Sequence, residues 1–201
     1  MRDTTAFTDQ ENWAGGHYEL AIELGDTSVE RLQRALTAVW QAARVEGCYG
    51  SLDHEPADQT EVPCTVASLA EFGHLRGTVE LHTGHRVVCG ALGGRYDEGQ
   101  DWLDFYLPTG ALARTDRRVG GFPFGPDSGT PSLLWRRGLD DWLAAIGTAV
   151  FQEVDFRLAV IGFEIDAAID ARGLGGKVPD ERWEAYLMPT DGHLTYTPAN
   201  R

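Results

Sequence analysis

The chain lacks the short motifs that most often reveal catalytic chemistry. It has no Gly-x-x-x-x-Gly-Lys-Ser/Thr phosphate loop and no Gly-x-Gly-x-x-Gly dinucleotide motif after a strand. It also has no Gly-x-Ser-x-Gly nucleophile elbow and no His-Glu-x-x-His zinc-protease motif. These absences remove the common nucleotide-binding, serine-hydrolase and zinc-protease interpretations. They do not exclude another kind of enzyme, but they favour a protein without catalytic activity.

Cysteine is scarce, and long apolar runs are absent. Cys48, Cys64 and Cys89 are odd in number and widely spaced, which fits neither a disulfide framework nor a Cys-x-x-Cys metal site. We therefore expect reduced thiols in the cytoplasm. No segment approaches the roughly 18 apolar residues that a membrane span needs. The amino terminus, MRDTTAFTDQEN, lacks the apolar stretch of a secretory signal, so we expect a soluble protein that does not bind membranes.

Lysine is nearly absent, and negative charge predominates. Lys177 is the single lysine beside 16 arginines, a bias typical of GC-rich coding sequences that we interpret as bacterial. The net charge is −14, and the first 75 residues hold 13 acidic and 4 basic side chains. Such a field repels nucleic acids and anionic membranes, so the expected partner is a basic protein. The alternative is that the acidic surface only keeps the protein soluble.

Length and composition predict a single globular domain over residues 1–201. The chain is 42% hydrophobic and 10% aromatic, which is ordinary for a protein that folds around one core. No repeat, linker or low-complexity segment divides it. The polar residues 1–12 are expected to be flexible.

Hydrophobic periodicity predicts two main helices and a largely antiparallel sheet. Apolar residues recur at helical spacing over residues 29–45 and 139–153, and Thr27 and Glu30 have the spacing of a capping box. Strands are expected at His17–Leu24, Gly77–His82, His85–Tyr96, Asp101–Leu107, Phe156–Ile165, Trp183–Met188 and Leu194–Thr197. This order favours an α+β fold, in which a curved sheet of about seven or eight strands carries both helices mainly on one face.

Two segments contain residue types found at metal or catalytic sites, but their spacing argues against such sites. His82 and His85 flank a two-residue turn, and Cys89 lies roughly 13 Å further along the strand at the usual rise per residue. We therefore expect neither a metal nor another cofactor. Residues 46–75 give no clear fold prediction, and the Asp-His-Glu triplet at residues 53–55 is interpreted as a loop rather than a general base.

The predicted strand Asp101–Leu107 has two different faces. Alternation places Leu103, Phe105 and Leu107 on one side, which is typical of a core-facing surface. The other side carries Trp102, Asp104 and Tyr106, in which a carboxylate lies between two large amphipathic rings. This combination favours a ligand groove or a protein interface. The alternative is that a helix or loop covers these side chains and that they serve only packing.

A segment rich in glycine and proline, VGGFPFGPDSGTP at residues 119–131, is expected to be an ordered loop pinned by Phe122 or Phe124. Five arginines border it, namely Arg114, Arg117, Arg118, Arg136 and Arg137. If the loop brings them together, they would bind an anionic small molecule or a carboxylate-bearing partner. The alternative is that they pair with nearby acidic side chains.

Taken together, these features favour a binding module, of the inhibitor or immunity type, that recognises a basic protein. Its acidity and its lack of a catalytic motif support this hypothesis. The alternative is a small-molecule-binding protein or small enzyme, with a pocket between the Trp102 and Tyr106 strand face and the loop at residues 119–131. A third hypothesis is a structural or oligomer-forming protein.

Overall fold

The computed structural model describes residues 3–96, 99–125, 128–165 and 169–201. The strands are β1 (His17–Asp26), β2 (Glu46–Tyr49), β3 (His74–Glu80), β4 (Arg86–Tyr96), β5 (Gln100–Pro108), β6 (Leu158–Phe163), β7 (Ala185–Thr190) and β8 (His193–Thr197). The α-helices are α1 (Val29–Ala43), α2 (Val66–Phe72), α3 (Thr109–Thr115), α4 (Leu133–Glu153) and α5 (Ala171–Leu174).

The eight strands form one open sheet in the order β2-β3-β4-β5-β1-β6-β7-β8. Every neighbouring pair is antiparallel. α1 and α4 contact each other and pack against the sheet, which confirms the α+β prediction. The meander β3-β4-β5 and the hairpin β7-β8 follow the predicted order. Within the described residues, no helix combines the length and the apolar character needed to cross a membrane.

β1 lies at the centre of the sheet, between β5 and β6. Leu20 is opposite Phe105 on one side and Ile161 on the other, and all three side chains are fully buried. β6 is covered on both faces, because Ile161 belongs to the main core while Val160 packs in a smaller cluster on the opposite side. Its nearly continuous apolar sequence is typical of such a strand.

α1 begins one residue later than the predicted capping box implies. Ser28 is the N-cap, and its hydroxyl accepts a hydrogen bond from the Arg31 amide at 3.2 Å. The Thr27 hydroxyl instead donates to the Gly99 carbonyl at 2.9 Å, so it ties the end of β1 to the start of β5. The predicted pair of Thr27 and Glu30 was therefore wrong by one position.

α4 begins at Leu133, well before the predicted start at residue 139. The sequence Arg-Arg-Gly at residues 136–138 interrupts the apolar pattern, but Arg136 is only 1% exposed and is bonded inside the protein. Gly147 lets the helix approach β7 closely, because a Cβ at this position would lie 2.4 Å from Leu187 Cδ1.

Two parts of the chain fold more completely than the sequence indicates. Residues 46–75 contain the short edge strand β2 and helix α2. The described part of the supposedly flexible segment, residues 3–12, packs against the domain, with Phe7 and Asn12 fully buried. The Thr4 carbonyl accepts a hydrogen bond from the Val88 amide at 2.9 Å, so this segment extends along β4.

Candidate functional site

The sheet has one face covered by α1 and α4, and the opposite face, which we call the second face, carries a group of ionisable side chains. Strand alternation and register place there His17, Glu19 and Glu23 of β1, Trp102, Asp104 and Tyr106 of β5, His74 and Arg76 of β3, and Gly90 and Leu92 of β4. β1, β5, β4 and β3 are consecutive neighbours, so these residues form a continuous polar surface.

Glu19 and Asp104 form a buried carboxyl pair on the second face. Asp104 is opposite Ala21, and Glu19 is opposite Tyr106, so the two acids occupy diagonal cross-strand positions. Glu19 is 6% exposed and Asp104 is 8% exposed. Glu19 Oε1 accepts a hydrogen bond from the Ile165 amide at 2.6 Å. Asp104 makes no hydrogen bond or ion pair within the part of the chain that the structure describes.

The environment of this pair opposes its ionisation. Burial raises the pKa of Glu19 to about 8, and the neighbouring charge of Asp104 adds to the rise. Burial alone raises the pKa of Asp104 to about 7. At neutral pH the two carboxyls therefore retain part of their protons, and a bound cation would compete with those protons.

Tyr106 is enclosed by two imidazoles. The His17 ring stacks on the tyrosine ring with centroids 4.0 Å apart and planes 17° from parallel. Nδ1 of His74 lies 3.0 Å from the Tyr106 hydroxyl. Gly90 of the neighbouring strand provides the space for this arrangement, because a Cβ there would lie 2.4 Å from the tyrosine ring and hydroxyl.

The two imidazoles beside Tyr106 add little positive charge at neutral pH, whereas Arg76 carries a full one. Burial lowers the pKa of His17 and of His74, and the positive charge of Arg76 lowers the pKa of His74 further. Arg76 donates to the Gly50 carbonyl at 2.7 Å, and its guanidinium carbon lies 6.0 Å from the centre of the Trp13 ring. Both imidazoles are therefore mainly neutral near pH 7, and the guanidinium is fixed toward β2.

Only part of the second face is recognisable from the sequence. Trp102, Asp104 and Tyr106 share one face of β5, as alternation predicts, but each is less than 9% exposed rather than open to solvent. In the sequence, only the alternation along β1 marks Glu19 and His17, and it places them on the polar side of a half-buried strand. Their importance depends on β5 lying beside β1, and that pairing leaves no local signal in the sequence.

The loop before α4 lies on the other side of the sheet from Trp102 and Tyr106. Phe122 packs against Tyr18 and Trp135 of the helix-covered face, with ring centroids 6.2 and 5.2 Å apart. The two halves of the pocket proposed from the sequence are therefore on opposite faces. Phe122 pins the loop as predicted, whereas Phe124 is 91% exposed, and residues 126–127 of this segment lie outside the described residues.

The five arginines beside this loop do not form one anion site. Arg114 pairs with Asp9, with Nη1 and Oδ2 2.7 Å apart. Arg136 points inward, where its guanidinium donates to Ser132 Oγ at 2.8 Å, to the Trp183 carbonyl at 2.7 Å and to a backbone oxygen of Arg201. Arg118 pairs at the surface with Asp116, with Nη2 and Oδ2 2.6 Å apart. Arg117 and Arg137 are exposed. Arg118 therefore agrees with the alternative interpretation, since it pairs with a nearby acidic side chain. Arg136 stabilises the fold through its buried hydrogen bonds.

A separate acidic groove lies at the β2 edge of the sheet. Its volume is about 640 Å³, and its ionisable lining side chains are Asp3, Glu46, Glu55, Glu61 and Arg86. Glu46 pairs with Arg86. Burial opposes ionisation of Glu55, but hydrogen bonds from Thr8 and Phe7 outweigh it and lower its pKa. Four carboxyls and one guanidinium leave this groove with excess negative charge.

The histidine and cysteine positions give no metal centre in the described residues. His85 Nδ1 lies 3.1 Å from the Thr83 hydroxyl, inside the turn itself. No group of three or more His, Cys, Asp or Glu side chains within those residues is arranged to bind a metal ion. All three cysteines have free thiols.

Comparisons of the chain with protein-family models, curated proteins and solved structures found no match. The second face and the acidic groove are therefore the features of the molecule that bear on its function.

Proposed function

We propose that this protein binds a small organic cation of the primary-amine class on the second face. The observation that carries the proposal is Asp104, a nine-tenths buried carboxyl without a partner among the described residues, beside a second buried carboxyl at Glu19. Buried acids are normally paired, because leaving a carboxylate without a counter-charge is costly. An ammonium group would supply the missing charge.

The free acceptors match the donors of an ammonium group. Glu19 uses Oε1 for the Ile165 amide, and its Oε2 makes no hydrogen bond with the described residues. Together with the two oxygens of Asp104, this leaves three acceptors for the three N–H bonds of a primary ammonium ion. The rings of Trp102 and Tyr106 on the same strand face favour a neighbouring cation and the apolar part of its chain.

This proposal keeps the small-molecule-binding alternative that the sequence suggested, but it places the ligand on the second face alone. The ligand contacts the same strand residues, Trp102 and Tyr106, while the arginine-bordered loop takes no part. Binding requires no chemical step, so the expectation of a protein without catalytic activity remains a prediction.

Butylammonium is a suitable probe, because a primary amine of this kind stays protonated across the range studied. We expect its affinity, measured by calorimetry and by amide NMR shifts in β1 and β5, to rise from pH 5 to pH 8 as the carboxyls lose their protons. Asp104→Asn should weaken binding about tenfold or more, since a hydrogen bond to a charged group contributes roughly 1.5–3 kcal/mol.

Two controls test whether binding requires the charge of the ligand and the position of the carboxyl. Asp155→Asn removes an exposed carboxyl beyond α4 and should leave binding unchanged, and butanol should not compete with the amine. Equal affinity in the Asp104→Asn and Asp155→Asn proteins would contradict the proposal, as would equal binding of butanol.

The acidic groove supports a second candidate function, the binding of a basic protein. The excess of carboxyls in the groove would accept arginine or lysine side chains of a partner, and the net charge of −14 would steer that partner toward it. The sequence also suggests that such a module is of the inhibitor or immunity type, and this remains a proposal.

An arginine-rich peptide tests this second function. The double variant Glu46→Gln, Glu61→Gln should weaken peptide binding and reduce its dependence on salt. The double variant Glu153→Gln, Asp155→Asn removes the same charge from exposed positions at the end of α4. If both double variants lose affinity equally, the peptide responds only to net charge and the groove is not its site.

A further inference from the structure

Cys48 and Cys64 lie together although 15 residues separate them in the sequence. Cys48 is in β2, and its carbonyl accepts a hydrogen bond from the Val62 amide at 2.8 Å, so the returning chain runs beside the strand. The Cys64 carbonyl accepts from Nε2 of Gln33 in α1 at 3.1 Å. These two backbone attachments keep the second cysteine near the first, and both side chains pack in the same core cluster, where each thiol affects the ionisation of the other.

We propose that Cys48 and Cys64 are an oxidation site at which a neutral peroxide produces an intramolecular disulfide. The two residues differ in exposure, as such a pair requires. Cys64 is partly exposed and accessible to a small oxidant, whereas Cys48 is only 5% exposed. Cys89 is fully buried in the core and does not take part.

The proximity of the two thiols also determines which sulfur reacts first. The hydrogen bond with Cys48 lowers the pKa of Cys64, although burial opposes this effect. The same hydrogen bond, together with burial and the negative charge of Glu61, raises the pKa of Cys48. Cys64 is thus the better nucleophile, because the thiolate is the reactive form of cysteine.

The reaction proceeds in two steps. The Cys64 thiolate attacks one oxygen of hydrogen peroxide, the O–O bond breaks, and the hydroxide that leaves takes a proton to become water. The product is a sulfenic acid at Cys64. The Cys48 sulfur then attacks the Cys64 sulfur, the S–O bond breaks, and the hydroxyl group leaves as water with the Cys48 proton. Two thiols lose two electrons, and one peroxide is reduced to two waters.

The surrounding charge selects the class of oxidant. Glu61 is close enough to Cys48 to affect its ionisation, and it lines the acidic groove together with Tyr49 and Glu55. A negative surface repels anionic disulfides such as oxidised glutathione but has little effect on an uncharged peroxide. The bond would also close residues 49–63 into a loop and restrict the wall of the groove, whichever proposed function is correct.

The test uses the reduced wild-type protein treated with a small excess of hydrogen peroxide. Titratable thiols, counted after unfolding, should fall from three to one, and peptide mapping should find Cys48 joined to Cys64. Dithiothreitol should restore all three. Oxidised glutathione should react more slowly than cystamine, a cationic disulfide, because of the acidic groove.

Two variants separate the pair from general oxidation. Cys89→Ser should still form the bond, whereas Cys48→Ser should accumulate a sulfenic or further oxidised Cys64. If Cys48→Ser does not fold, the mapping of the wild-type protein still decides. A bond involving Cys89, a bond only between chains, or oxidation of Cys64 with Cys48 still free would overturn the proposal.

Discussion

The helix-covered face and the second face both contain buried ionisable side chains, but they differ in how those groups are satisfied. On the helix-covered face, Asp140 accepts a hydrogen bond from the Tyr18 hydroxyl, and Arg136 uses three guanidinium nitrogens for protein acceptors. On the second face, Asp104 has no partner among the described residues, and Glu23 Oε1 is buried without a hydrogen bond. Satisfied polar groups stabilise the fold, whereas unsatisfied ones are available to a ligand.

Two buried tyrosines, one on each face, show the same difference. Tyr18 and Tyr106 are both at most 2% exposed. Tyr18 donates to a carboxylate in a packed aromatic core, while the Tyr106 hydroxyl meets an imidazole that is partly exposed. Burial alone therefore does not separate a structural polar group from one that is available for binding.

The largest expected effect concerns the core beneath the helices. Leu36→Ala and Ile146→Ala should each reduce the free energy of unfolding by about 2–5 kcal/mol, because both side chains are at most 3% exposed. Leu134→Ala on the same helix α4 is the matched control, since Leu134 is 78% exposed. Urea unfolding measures all three. A similar loss in the Leu134 variant would contradict the assigned packing of α4.

The second prediction concerns the pH dependence of the second face. The folded-state pKa of Asp104, about 7, lies above its ordinary value of 3.8. The unfolded chain therefore releases this proton first, and stability should fall as the pH rises from about 4 to about 7. Asp104→Asn removes this contribution, which at most amounts to about 4 kcal/mol.

The measurement compares the free energy of unfolding at pH 5 and pH 8. The Asp104→Asn protein should be more stable relative to wild type at pH 8 than at pH 5. Glu19, whose pKa is raised to about 8, keeps some pH dependence in the variant. Parallel pH curves for the two proteins would mean that Asp104 is not buried as a carboxyl without a partner.

The third prediction compares the tyrosines. Tyr18→Phe leaves Asp140 without its hydroxyl donor and should reduce stability by about 1–3 kcal/mol. Tyr106→Phe removes one bond to a partly exposed histidine and should reduce it by about 0.5–1.5 kcal/mol. Thermal and urea unfolding show which of the two variants loses more stability. A larger loss for Tyr106→Phe would reverse the proposed distinction between the two faces.

The smallest effects are expected in the loop before α4. Phe122→Ala should reduce stability by roughly 1–2 kcal/mol, less than for a fully buried ring. Phe124→Ala should change it by no more than about 0.5 kcal/mol, because this ring is 91% exposed. Equal losses would show that both rings pin the loop.

Much of the fold could be predicted because its elements carry local patterns. The alternation of Tyr18, Leu20 and Ile22 specifies β1, and the apolar run of β6 predicts a strand covered on both sides. β2 has only four residues, Glu-Gly-Cys-Tyr, which is too short for a periodic signal. The start of α4 was missed because Arg136 resembles a surface residue until its acceptors are known.

The candidate site was only partly predictable for a related reason. Alternation within β5 groups Trp102, Asp104 and Tyr106, since a single strand contains all three. Adding Glu19 and His74 requires the strand order, because residues on different strands meet only after the sheet forms. The proximity of Cys48 and Cys64 likewise depends on the chain returning beside β2.

The two main helices, most strands, the α+β class and the negative charge can all be predicted without the fold, because each follows from composition or from periods of a few residues. Only the folded chain shows which polar residues are buried together, which face of the sheet keeps unpaired carboxyls and which cysteines lie near each other. Burial and pairing are properties of neighbours in space, and a local pattern does not contain them. A carboxyl such as Asp104 acquires its raised pKa only when other strands and segments exclude water from it.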